Sequence, residues 1–107
     1  MSRIATVVTA VFLLGAGRFS FVCSGVASWF YPAAAYGRAR VCAMNAVPVG
    51  TEVRVVNNAN GRESNCRVIG TWFFVPGRVI DVSASVATAL DITGLASVRV
   101  YRAVKAK

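Results

Sequence analysis

Gly77-Arg78-Val79-Ile80-Asp81-Val82-Ser83 is the stretch that decides the fold. A run of branched apolar residues delivers one carboxylate, Asp81, and then a serine able to cap the run Ser83-Ala84-Ser85-Val86-Ala87-Thr88-Ala89-Leu90 as a helix. This pattern predicts a strand ending near Val82. A short helix follows, burying Val86, Ala87 and Leu90, with Gly94 beyond its end. A lone acid at such a junction is either a site or a structural group bonded to the backbone N–H groups of the helix start.

Outward from this stretch the chain reads as short β segments parted by turn signals. Residues 96–103 alternate Val98 and Val100 with Arg99 and Arg102, and residues 51–56 set Val53 and Val55 against Glu52 and Arg54. Both carry Val-Arg-Val, a brief echo of the kind two related halves of a barrel would give. Asn57-Asn58-Ala59-Asn60-Gly61 supplies residues that tolerate positive φ, so residues 62–69 are expected to return as a hairpin partner. Residues 25–30 and 41–44 are further strand candidates, and residues 31–40 read as a loop. Trp72, Phe73 and Phe74 cannot all face one core from a strand. At least one therefore closes a barrel end or stands in a groove, where it could stack on a sugar.

The chain's 107 residues suffice for one domain, and 56% apolar against 15% charged residues favours a folded core. Twelve Lys or Arg against four acids (Glu52, Glu63, Asp81, Asp91) give a net charge of +8, which suits polyanionic surroundings. The arginines are scattered and no nucleic-acid motif accompanies them, so no nucleic-acid partner is expected. Without histidine there is no Ser-His-Asp triad, Cys-His pair or His-containing metal cluster, and no Gly-rich phosphate loop is present. Neither a metal nor a cofactor is expected. Acid–base work falls to a carboxylate, Tyr, Lys or Cys. Cys23, Cys42 and Cys66 lack zinc-site spacing. Cys42 and Cys66 are either a disulfide in an exported chain or buried thiols.

Residues 1–23 carry Arg3 and then an uncharged apolar stretch over residues 4–17, the pattern of a secretory signal or anchor. The alternative is a first strand of the domain. Gly15 and Gly17, or Val22 and Ser24, offer possible cleavage points. Cys23 invites lipidation, although Val22 before it is large for a lipobox. Residues 24–104 form the domain, and Lys105 and Lys107 lie in a basic tail.

Gly25-Val26-Ala27-Ser28-Trp29, the segment from Pro48 through Val55, the Asn57–Arg62 loop and the stretch around Asp81 occur in the order found in the rare lipoprotein A (RlpA-like) family, which this chain resembles over residues 24–104. The resemblance implies a mainly β fold: a six-stranded double-psi β-barrel with one short helix, related to expansin and barwin-like barrels. It further implies an exported monomer of the periplasm, envelope or cell exterior that meets peptidoglycan, with lytic transglycosylase activity in some members. Ser28 and Asp81 resemble polar residues lining the polysaccharide groove of such barrels. With Trp29, Arg78 and Trp72 they form the expected binding set.

Three departures bear on activity. Gly70 stands where the family's acid precedes the aromatic loop, Met44 falls on the family's His, and an Asn-Gly-Glu segment is shortened away between Arg40 and Val41. Hydrolysis of a glycosidic bond normally needs two flanking carboxylates. Lytic transglycosylation needs one to protonate the leaving oxygen while the sugar's own hydroxyl closes the ring. The expected function is therefore peptidoglycan binding by a weakened member. An active transglycosylase using Asp81 alone and a basic nucleic-acid-binding barrel are the alternatives. Membrane attachment is expected only through the N-terminal segment.

Overall fold

The computed structural model describes residues 11–14, 17–30, 36–71 and 75–104. They form β1 (Val11–Leu14), β2 (Gly17–Trp29), β3 (Val41–Ala43), β4 (Glu52–Asn57), β5 (Glu63–Gly70), β6 (Arg78–Val82), α1 (Ala84–Leu90) and β7 (Ala96–Ala103). Residues 72–74, with Trp72, and the tail from residue 105 lie outside the described residues, as does most of the apolar N-terminal stretch.

The sheet order is β1-β2-β6-β3-β5-β4-β7, and β2 also pairs with β7, so six strands close into a ring and β1 hangs on β2 as a hairpin partner. Two of the ring's pairs, β2–β6 and β3–β5, are parallel, and the rest are antiparallel. Closure removes the open edges that would otherwise invite pairing with another chain.

Alternation along the strands builds the core. In β5, Ser64, Cys66 and Val68 point inward while Glu63, Asn65 and Arg67 point out. Val53, Val55, Val98 and Val100 meet Val68, Val82 and the helix residues Val86 and Leu90 in one fully buried cluster. The two Val-Arg-Val strands are ring neighbours, with Val55 opposite Val100. Cys42 of β3 and Cys66 of β5 are joined as a disulfide, Cα atoms 6.0 Å apart and both completely buried.

β2 begins at Gly17, well before the expected start at Gly25, and crosses the expected domain boundary at residue 23. Its pairing with β7 runs from Phe19↔Ala103 to Ala27↔Ala96, with a register shift between Phe21 and Cys23. Aromatic packing explains the longer strand. Phe19 forms a second buried cluster with Val56 and Tyr101, Phe21 meets Tyr101 edge-on at 5.7 Å, and the Arg54 guanidinium lies 5.0 Å over the Phe19 ring. Farther along, β2 reaches β6 only because residue 25 is glycine. A Cβ there would stand 2.6 Å from Val79 Cγ1 and 2.9 Å from the Gly77 carbonyl oxygen.

Helix α1 buries Val86, Ala87 and Leu90 and ends before Gly94, as its sequence predicts, but its N-terminal end differs from expectation. Ser83 occupies the N-cap position without a side-chain capping bond, and the left-handed residue ending the helix is Asp91 (φ 59°). The Asn-rich hairpin loop completes the C-terminal end. Asn57 and Asn60 each donate a side-chain amide N–H to the Leu90 carbonyl, at 2.9 and 3.1 Å, and the Asn57 side-chain oxygen accepts from the Ala59 N–H at 2.9 Å. These asparagines thus bond a helix end as well as turn a hairpin. Asn57→Ala should destabilise the fold by about 1–3 kcal/mol, because it strips a buried carbonyl of one donor and a loop N–H of its acceptor. Urea denaturation with an unchanged midpoint would contradict this role.

Candidate functional site

Cross-strand register gathers the candidate residues into one row. Ser28 of β2 lies opposite Asp81 of β6, Asp81 opposite Ala43 of β3, and Ala43 opposite Gly70 of β5. In β6 the side chains of Ile80 and Val82 turn into the core, so Asp81 between them faces outward, half-buried. The Ser28 hydroxyl donates to Asp81 Oδ1 at 3.0 Å, linking residues 53 apart in sequence.

Partial burial pushes the Asp81 carboxyl above the usual carboxylate range, against the opposing pull of the Ser28 hydrogen bond and the Arg78 charge. Asp81 therefore bonds a neighbouring strand's hydroxyl and is not held ionised by the helix N–H groups. The other three acids are placed elsewhere. Glu63 pairs with Arg54 at 3.0 Å, Glu52 with Arg67 at 3.9 Å, and Asp91 is the exposed C-cap of α1. Among the described residues no group of three or more His, Cys, Asp or Glu could hold a metal ion.

Ser28, Asp81 and Arg78 are thus brought together, whereas Trp29 is not. Next to Ser28 in an extended strand, it turns to the opposite face and packs against the main core. Trp72 lies outside the described residues. Met44 is buried in the core, and its N–H donates to the Gly70 carbonyl at 3.1 Å, so the two altered positions are neighbours. A Cβ on Gly70 would meet nothing within 4 Å. Cys23 is a free, half-buried cysteine whose thiol burial pushes up.

Two contributions are not local in sequence. Ala43 supplies the small floor beside Asp81 only because β3 lies next to β6. Ser83 donates its hydroxyl to the Ala39 carbonyl at 2.8 Å and accepts from the Val41 N–H at 3.2 Å. It thereby ties the segment before β3 to the end of β6. Chemically, the row offers one carboxyl that can give or take a proton, a hydroxyl that orients it, and an adjacent guanidinium.

No family model matches the chain. Similar curated proteins include a probable endolytic peptidoglycan transglycosylase RlpA of Nostoc sp., 41% identical over 64 residues, covering 58% of this chain and 17% of the relative. A protein of the same name from Synechocystis sp. is 37% identical over 79 residues, covering 64% of this chain and 24% of its own length. The region is RlpA-like. This chain spans about a fifth of the length of those curated relatives. In this chain the row holds the Ser28–Asp81 pair, with Ala43 and Gly70 beyond it.

Proposed function

We propose that this chain is an exported domain that binds peptidoglycan glycan strands across the Ser28–Asp81 row. Its ring is assigned to the double-psi β-barrel, an assignment supported by the two parallel pairs among six closed strands. The observation that carries the function is the outward Asp81 carboxyl, aligned by Ser28 and flanked by Arg78, in a chain similar to proteins named as peptidoglycan transglycosylases. Residues 1–23 serve as the signal or anchor. Four β2–β7 pairs, from Ser24↔Arg99 to Ala27↔Ala96, lie beyond residue 23, so the ring can stay closed when that segment is removed.

Retention of the full chain on purified sacculi tests this reading, and a chain that passes through unretained defeats it. A second reading, lytic transglycosylation with Asp81 as acid and base, is favoured by its raised carboxyl, which keeps more of the group protonated than an ordinary aspartate. Release of anhydro-muropeptides from sacculi would establish it. Gly70→Asp should raise that release from its baseline. Gly70 lies two strands from Asp81 in the same row, placing the backbones about 10 Å apart. The added carboxylate would have open space before it. Product yield identical to the parent chain would argue that the row is not a catalytic one.

A further inference from the structure

Beyond the Asp81 row the surface drops into an open depression of about 360 Å³ between the 37–40 segment and α1, lined chiefly by Arg38, Arg40, Ala84, Ser85 and Thr88. Its polar side chains are two guanidinium groups and two hydroxyls, with no carboxylate among them. Arg38 takes part in no ion pair among the described residues, and Arg40 donates to a neutral partner, Ser64 Oγ, at 3.0 Å. Two uncompensated cations in a concavity raise the local positive potential and attract anions.

The rim is held in place before any ligand arrives. Ser83 binds the Ala39 carbonyl and the Val41 N–H, and the Arg67 N–H donates to the Arg40 carbonyl at 3.0 Å. Such preorganisation lowers the ordering cost of binding. Ala84 contributes only a methyl group, so an anionic group can approach the helix surface. Ala84 follows Asp81 by three residues, so the depression begins no more than about 10 Å of chain from Asp81.

We propose that this depression is an oxyanion subsite for the acidic substituent of a polymer whose sugar lies over Asp81, so that the preferred ligand is an acidic rather than a neutral glycan. This rests on the glycan-binding reading. Peptidoglycan strands offer a carboxylate on alternate sugars, free or at the end of a peptide, and wall phosphate polymers offer the same charge.

The test compares the full chain with Arg38→Gln/Arg40→Gln and with the control Arg99→Gln/Arg102→Gln, which removes equal charge from β7. Ligands are soluble peptidoglycan strands, the same strands with carboxyls converted to methylamides, sacculi with and without phosphate polymers, and inorganic phosphate followed through the Ser85 and Thr88 amide NMR signals. The Arg38/Arg40 pair should weaken binding to acidic strands about 10- to 100-fold, as expected for lost charge-assisted hydrogen bonds. The control should stay within about three-fold, as for solvated rim charges. Loss on methylamidation identifies the carboxylate as the source, and loss only on stripping phosphate polymers identifies phosphate; either supports the subsite. Equal losses in both double variants, or normal strand binding by Arg38→Gln/Arg40→Gln, overturn the subsite and leave the glycan reading standing. Phosphate shifts at Ser85 and Thr88 that require the two arginines, in a chain that binds no strand, keep the subsite and remove the glycan reading.

Discussion

Asp81→Asn should weaken retention on peptidoglycan at least about ten-fold while making the folded chain more stable at neutral pH. The loss follows from replacing a charged acceptor by a neutral one, since hydrogen bonds to charged groups contribute about 1.5–3 kcal/mol. The gain follows from the direction in which the carboxyl is shifted. Desolvation raises it despite Ser28 and Arg78, so the folded chain binds protons more readily at Asp81 than the unfolded chain does. Stability from this group is full below the ordinary carboxylate range and falls as pH rises through the raised value. Asparagine does not ionise, so Asp81→Asn should lack that fall and melt higher at pH 7, the two curves converging in acid. Ser28→Ala should move the carboxyl up further by removing the bond that opposes the shift. Thermal melts against pH and carboxyl NMR titration check both. A variant melting lower than the parent at pH 7 would reverse the sign.

Reducing the Cys42–Cys66 disulfide, or replacing both cysteines with alanine, should cost about 3 kcal/mol and lower Tm by on the order of 15 °C. The bond closes a loop of 24 residues, and both sulfur positions are fully buried. Its effect should concentrate on β3, which spans only Val41–Ala43 yet pairs with both β5 and β6. Ala43 beside Asp81 and the arginine-bearing segment before Val41 both hang on that short strand. Faster amide exchange at residues 41–43 should accompany reduction. Calorimetry with and without reductant giving the same Tm would show that the ladder holds without the bond.

Sequence made the fold legible where burial follows a short period. The alternation of Ser64, Cys66 and Val68 against Glu63, Asn65 and Arg67 is a strand on sight, as is the valine–arginine alternation of β7. Local rules were less informative where a distant partner outcompeted a near one. Ser83 has the composition of a helix cap, but Ala39 and Val41 take its hydroxyl. Asn57 reads as a turn residue, yet its amide is buried against Leu90, 33 residues away. Within the site, Asp81 stands out as a solitary acid ending an apolar strand. Its partner Ser28 was visible only through resemblance, because their bond spans two parallel strands far apart in sequence. Contiguity also misleads: Ser28 and Trp29 are adjacent letters on opposite faces.

Ring closure also bears on when the molecule becomes competent. β2, which carries Ser28, is zipped on its other side to β7, the last strand of the described chain. A growing polypeptide has only half of that seam until the residues around 96–103 have been made. The ring therefore stays open in every unfinished copy, and folding should be paced by a single late encounter between the ends of the domain.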